Sequence, residues 1–251
     1  MSVVDDSYGE PLRFEEEASA PFAGGILNHG FQCGMLWGAV LAAGAQAYRL
    51  HGPGPVGETM ALKASERLRD SFPTKNNYMN CIDITALDMK ETSGVFKFLA
   101  KGGPIGCFRL AARYAPIARS EIDNALANGE IDITDRPVSC AAELARKMGA
   151  SEMQATMAAG FAGGVGLSGG ACGALGAAIW ITIMNRNEEG GGTADYMSPE
   201  AMEVIDRFVE ASEYEFECSE ITGRQFANIS EHADYICGGG CSEIIEALAT
   251  T

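Results

Sequence analysis

The cysteines of this chain follow a pattern that occurs twice. Residues 22–25 (Phe-Ala-Gly-Gly) precede Cys33, and residues 161–164, with the same sequence, precede Cys172, so both elements recur 139 residues later (22 to 161 and 33 to 172). Two further cysteines repeat in the same order. The pairs are Cys33 with Cys172, Cys81 with Cys218, and Cys107 with Cys241. A repeat of this length indicates a duplicated unit that forms a pseudo-dimer with approximate two-fold symmetry.

The length and composition agree with two copies of one unit. A chain of 251 residues with 47% hydrophobic content can bury one large core or two domains of about a hundred residues each. The duplication favours two. The predicted divisions are an acidic N-terminal tail over 1–17, a diverged first repeat over 18–130 and a second repeat over 131–251.

The hydrophobic pattern predicts an all-α fold. Residues 18–48 and 153–185 are nearly free of charge and rich in glycine and alanine, and each is interpreted as a glycine-rich loop that leads into a helix, over 33–48 and 172–185. Residues 138–148 predict a short helix that carries Cys140. Convincing alternating strands are absent. The strongly apolar part of each uncharged run is about a dozen residues, which suits a buried helix better than a membrane span.

Charge and cysteine usage restrict the function. The net charge of −16 argues against nucleic acid and against an anionic membrane surface, since both are bound through Lys and Arg. The N-terminus lacks a secretory pattern, so we expect a cytoplasmic protein. In that reducing compartment eight cysteines indicate metal ligands or redox thiols rather than disulfides. No Cys-x-x-Cys motif occurs, which disfavours thioredoxin-like chemistry and zinc ribbons.

The glycines before Cys33 and Cys172 predict how these thiols are held. Glycine lets the backbone approach closely and directs amide N–H groups at the start of a helix, where negative charge is stabilised and the pKa of a thiol is expected to fall. Amides that bond to sulfur suit a metal ion or an iron–sulfur cluster. The predicted cofactor-binding glycines are Gly24, Gly25, Gly34, Gly163, Gly164 and Gly173. The predicted metal ligands are Cys33, Cys81, Cys107, Cys140, Cys172, Cys218, Cys237, Cys241 and His29.

The second half resembles the family of redox-active proteins named for the pattern C_GCAxxG_C_C, over about residues 136–250. Cys140 matches the first cysteine, residues 163–174 match the glycine-rich stretch and the start of the motif, and Cys218 and Cys241 match the last two cysteines. The last glycine of the motif is replaced by Ala177. The first half is similar to a diverged copy over 20–118 that has Met35 in place of the motif's alanine.

The resemblance implies a metal-associated redox role. Split-Soret cytochrome c contains a distantly similar domain with a non-haem iron centre, although this chain lacks haem motifs. Four cysteines in the second half suffice for a [2Fe–2S] or [4Fe–4S] cluster. Three in the first half would leave one iron open to substrate or to a ligand such as His29, unless this histidine only bonds to backbone. Cys237 is interpreted as an alternative ligand or a spare thiol.

Several functions fit the sequence. The first is an iron–sulfur protein in electron transfer or redox catalysis, which acts with a redox partner protein or a small-molecule oxidant or reductant. The alternatives are a non-enzymatic binder of another thiophilic metal ion or metalloid, and a metal-free thiol–disulfide protein in which a low-pKa Cys33 or Cys172 attacks. A small membrane subunit is the least favoured. Assembly into a homo-oligomer is compatible with all of them.

Overall fold

The computed structural model describes residues 1–9, 11–128, 136, 138–188 and 196–250, and within these ranges the chain is helical. The only extended pairing in this part is two isolated bridges, so the all-α prediction is confirmed. A short 3₁₀ helix covers Ala20–Phe22. The α-helices are α1 (Ser2–Asp6), α2 (Arg13–Glu17), α3 (Gly34–His51), α4 (Pro55–Asn76), α5 (Cys81–Thr85), α6 (Thr92–Ala100), α7 (Gly103–Asn128), α8 (Cys140–Lys147), α9 (Glu152–Ala159), α10 (Gly173–Glu188), α11 (Pro199–Ala211), α12 (Cys218–Thr222), α13 (Ile229–Cys237) and α14 (Ser242–Ala249).

The helices of the two halves correspond in order. Helices α3 to α7 have their counterparts in α10 to α14. Cys33 and Cys172 directly precede the first helix of each set and Cys81 and Cys218 begin the third, whereas Cys107 lies inside α7 and Cys241 just before α14. Packing extends the correspondence to the N-terminus, because α1 contacts α3 and α7 as α8 contacts α10 and α14. The expected pair of homologous helical repeats, related by a pseudo-two-fold, is therefore present. Residues 1–17, predicted as an acidic tail, contain α1 and α2, and the predicted boundary at 130 lies outside the described residues.

The two repeats exchange helices and share one core. Helix α9 of the second repeat packs against α3 and α4 of the first, and α2 of the first packs against α10 of the second. The Trp37 ring of the first repeat lies 4.6 Å from the Phe161 ring of the second and 4.9 Å from the Phe22 ring of its own repeat, measured between centroids. All three side chains are fully buried. In the described part of the chain, no helix is long and apolar enough to cross a membrane.

The predicted helices are found, with one large omission. Helices α3 and α10 begin one residue after Cys33 and Cys172 and run about three residues further than predicted. The Ser198 hydroxyl caps α11 by accepting a hydrogen bond from the Ala201 amide. The 26-residue helix α7 was not predicted, because Gly103, Gly106 and Pro116 interrupt its pattern. Consequently Cys107 lies inside a helix that the sequence pattern does not reveal.

The glycine-rich loops have an unusual backbone that is the same in both repeats. Residues 24–28 all have positive φ, between 42° and 77°, and residues 163–167 have positive φ between 58° and 79°. These stretches include Ile26 and Val165, β-branched residues that strongly disfavour the left-handed region. Both side chains are fully buried, so core packing offsets this backbone strain.

Removal of the Ser139 hydroxyl should loosen the start of α8. Its Oγ accepts a hydrogen bond from the Ala142 amide (3.2 Å) and donates one to the Ala159 carbonyl (2.9 Å), all in the buried core. We expect Ser139→Ala to lower the free energy of unfolding by about 1 to 2 kcal/mol in chemical denaturation. Ser242→Ala is the control, because this serine is exposed at the start of α14 and should change stability by less than about 0.5 kcal/mol. Equal effects would contradict the capping role.

Candidate functional site

In the first repeat, an isolated bridge brings two of the cysteines together. Gln32 pairs with Asn80, the Cys33 amide donates to the Met79 carbonyl (2.9 Å), and the Cys81 amide donates to the Phe31 carbonyl (2.7 Å). Side chains alternate between the two faces of extended backbone. Cys33 and Cys81 each follow a residue of the bridge, so both lie on the opposite face from that pair and on the same face as each other.

The second repeat builds the same arrangement. Ala171 pairs with Glu217, the Cys172 amide donates to the Phe216 carbonyl (2.8 Å), and the Cys218 amide donates to the Gly170 carbonyl (2.6 Å). Because these contacts match those of the first repeat one for one, the bridge is a repeated device for placing two thiols side by side.

The thiols of Cys33 and Cys172 lie at the N-termini of the long helices α3 and α10. The amides of Met35 and Leu36 lie near enough to the sulfur of Cys33 to act to lower its pKa, and those of Ala174 and Leu175 act in the same way on Cys172. Amide groups at both helix starts therefore lie close to these two sulfurs, and hydrogen bonding to the sulfur stays a prediction. Such contacts favour the thiolate over the thiol.

The remaining cysteines approach the same places from other helices. Cys107 in α7 and Cys81 lie close enough to Cys33 that a negative charge on either would raise its pKa. Cys140 lies at the start of α8. A negative charge on any of its three neighbours in the second repeat would raise its pKa; these are Cys172, Cys218 and Cys241. Each repeat therefore gathers its cysteines, three in the first and four in the second. The counterpart of Cys140 in the first repeat is Met1, as the offset of 139 indicates.

Burial dominates the electrostatics of these thiols. It raises the pKa of Cys33 to about 12 and that of Cys81 to about 11, and it raises the pKa of Cys172 despite the two amides at its sulfur. Burial and the charge of Cys172 raise the pKa of Cys241 to about 12. The prediction of a lowered pKa for Cys33 and Cys172 is wrong, because the loss of water around a buried thiolate outweighs the helix N-terminus.

The two remaining predicted ligands are His29 and Cys237. The Nδ1 atom of His29 is 3.0 Å from the Ile26 carbonyl oxygen and 3.2 Å from that of Leu27, and its ring stacks on Phe216 at 5.4 Å. Burial lowers the pKa of His29. These contacts are those of a histidine that bonds to backbone. Cys237, at the end of α13, is exposed.

The six predicted cofactor-binding glycines are all used in tight backbone packing. An added Cβ at Gly34 would lie 2.7 Å from the Phe22 carbonyl oxygen, and one at Gly173 would lie 1.9 Å from that of Phe161. An added Cβ at Gly25 or Gly164 would lie within 2.5 Å of backbone atoms at the far end of the same loop. Gly24 and Gly163 have positive φ, which side chains disfavour. Packing alone therefore requires glycine at these positions, and a role in cofactor binding stays a prediction.

One buried residue that the sequence analysis missed connects the two cysteine sites. The Gln32 Nε2 donates to the Gly164 carbonyl (3.2 Å) and to Ser168 Oγ (3.3 Å), and its Oε1 accepts from the Ala171 amide (3.0 Å). Gln32 precedes Cys33, and Ala171 precedes Cys172, so the two sites are joined through adjacent residues. The available signal was the difference between the repeats at this position, Gln32 in one and Ala171 in the other.

The residues do not form a closed site for a single metal ion. Across the described ranges, no group of three or more His, Cys, Asp or Glu side chains is arranged to hold one. The cysteines of each repeat are nevertheless neighbours, and all but Cys107, Cys237 and Cys241 are buried.

Two fused copies of a helical unit, each with buried thiols beside a glycine-rich loop, define a class of cysteine-motif proteins. The comparison with protein families agrees. Residues 1–120 and 138–251 both match the family described as "Putative redox-active protein (C_GCAxxG_C_C)", and the chain belongs to this family. The family indicates a redox role. Comparison with curated proteins and with solved structures gives no match.

Proposed function

We propose that the gathered cysteines bind iron–sulfur clusters and that the protein acts in electron transfer or redox catalysis. The ligands would be Cys33, Cys81 and Cys107 in the first repeat. In the second repeat they would be Cys140, Cys172, Cys218 and Cys241. The observation that carries the proposal is the bridge in each repeat that holds two thiols on one face, with a third or fourth nearby.

Burial of the thiols favours a bound cation over thiol–disulfide exchange. An attacking cysteine needs a populated thiolate and access to its partner. Here burial opposes the thiolate, while two amides point at the sulfur of Cys33 and two at that of Cys172. A positively charged metal centre would supply the charge that makes thiolates stable in a buried site. The amides would then tune its reduction potential.

The three thiols of the first repeat favour a cluster over a single zinc ion, because zinc prefers a complete set of four ligands. A Zn–S bond of about 2.3 Å holds four thiolates within about 4 Å of one another. A cluster has several irons and holds its thiolates further apart. Among the described residues, the thiols influence one another's pKa and yet form no single-ion site, which is compatible with the larger group. When bound, such a cluster would take up and release single electrons, exchanged with a partner protein or a small molecule.

The test is anaerobic purification with visible absorption, iron and acid-labile sulfide measured on one sample. We expect a brown protein with comparable iron and sulfide. Cys81→Ala should remove the metal of the first repeat and Cys218→Ala that of the second, so each lowers the iron content by about half, and the double variant removes nearly all of it. Circular dichroism establishes that each variant is folded.

Cys237→Ala is the matched control, because Cys237 is exposed and is not one of the proposed ligands. It should leave iron and sulfide unchanged. A colourless, iron-free protein after anaerobic reconstitution would refute the proposal, as would an equal loss of iron in Cys237→Ala and Cys218→Ala. Zinc without sulfide would instead identify a non-enzymatic metal-binding protein.

A further inference from the structure

A cleft of about 630 Å³ lies beside the three-cysteine site of the first repeat. It is formed by the end of α4, by α5 and by α7. Among its lining residues, Gly106 directly precedes Cys107, Leu110 follows that cysteine by one helical turn, and Ile84 follows Cys81 by three residues. The cleft is therefore built on the same two helices that carry two of the three thiols, and its volume suits a small molecule.

The charged residues that line this cleft are all positive. They are Lys75, Arg109 and Arg113, and the lining includes no acidic side chain. Arg109 and Arg113 are four residues apart on α7 and so project from the same face. Within the described part of the chain, none of the three forms an ion pair. The chain has a net charge of −16, so this group of three positive residues contrasts with the acidic character of the protein as a whole.

The second repeat lacks this basic group. With Cys107 aligned on Cys241, Arg109 corresponds to Glu243 and Arg113 to Ala247. Glu143 adds a negative charge near Cys241, where it raises the pKa of that thiol. Glu143 and Glu243 thus lie near Cys241 in the second repeat, whereas the cleft beside the three cysteines of the first repeat is lined by basic residues.

We propose that the cleft binds a small anion that carries at least two negative charges on carboxylate or phosphate groups. Two guanidinium groups on one helix face and an ammonium group suit such an anion, because arginine forms paired, charge-assisted hydrogen bonds with both kinds of oxyanion. Binding follows from the cleft alone. The further assignment of this anion as the substrate of the three-cysteine site rests on the proposed function.

Isothermal titration at low ionic strength, with succinate and inorganic phosphate as probes, tests the cleft. We expect at least one of them to bind, and the tighter probe identifies the oxyanion class. The Arg109→Gln/Arg113→Gln double variant should weaken binding at least ten-fold. Neutral succinamide should not bind, because the cleft selects charge.

Arg13→Gln/Arg67→Gln is the control, since it removes the same charge from exposed positions that do not line the cleft. It should change affinity less than two-fold. Absence of binding to either anion, or equal weakening in both double variants, would overturn the proposal. Iron and sulfide are measured on the same samples. Iron-loaded protein that binds no anion would refute only the proposal of anion binding. Iron-free protein that binds the anion would refute only the proposal of a cluster.

Discussion

Gly173→Ala should lower the free energy of unfolding by about 3 kcal/mol, because the added methyl group has no space. Its Cβ would lie 1.9 Å from the Phe161 carbonyl oxygen and 2.5 Å from the carbonyl carbon, both in rigid, buried backbone. Helix α10 would have to move away from the loop, and Cys172 at its start would move with it. Chemical denaturation measures the loss, and iron content measures the effect on the cysteine site.

Two other glycines serve as comparisons for the expected loss of stability in Gly173→Ala. Gly34 is the counterpart of Gly173. A Cβ added at Gly34 would lie 2.7 Å from the Phe22 carbonyl oxygen, so Gly34→Ala should lower the free energy of unfolding by less than Gly173→Ala does. Gly106 lies inside α7 with nothing within 4 Å of an added Cβ, and Gly106→Ala should raise stability by up to about 1 kcal/mol. A Gly173→Ala variant as stable as Gly106→Ala would show that this close approach is unimportant.

Gln32→Leu should lower the free energy of unfolding by about 3 kcal/mol. It should also lower the iron content of both repeats. The substitution removes three hydrogen bonds, two of them buried and one partly buried, each worth about 1 kcal/mol, and leaves the Ala171 amide buried without its acceptor. Because that amide precedes Cys172, the change acts on the second site although the residue belongs to the first. Denaturation and iron analysis of the purified variant measure the two effects.

Gln225→Leu is the control for this prediction. Its Nε2 also donates to the same glycine-rich loop, at the Leu167 carbonyl (3.0 Å), but Gln225 is exposed and makes no bond between the repeats. We expect a cost below about 1 kcal/mol and unchanged iron. If the two glutamine variants behave alike, Gln32 does not couple the sites.

The sequence predicts the parts of this fold that depend on local patterns. The duplication is visible because both copies keep phenylalanine, glycine and cysteine at the same spacing, and Cys33 and Cys172 are placed at helix starts by the glycines around them. Leu62, Leu68 and Phe72 recur along α4 among charged residues, and all three are fully buried. These features need only neighbouring residues, so one sequence is enough to find them.

Other features depend on contacts between distant residues and could not be predicted. The left-handed backbone at Ile26 and Val165 opposes the preference of both residues and is maintained by the core around them. The raised pKa of Cys172 follows from burial, which no spacing of cysteines reveals. The basic cleft joins Lys75 to Arg109 and Arg113 across two helices, and its charges are unremarkable in the sequence.

The exchange of helices between the repeats has an evolutionary consequence. A lone copy would leave the face of α3 that α9 covers open to water, so such a unit would need to associate with another of its kind. Fusion of two genes makes that association permanent and frees each copy from the need to match the other. One half of the present chain could then lose a cysteine and acquire arginines while the other kept all four thiols. The fused chain thus allows a division of labour that a symmetric homodimer, with identical subunits, could not achieve.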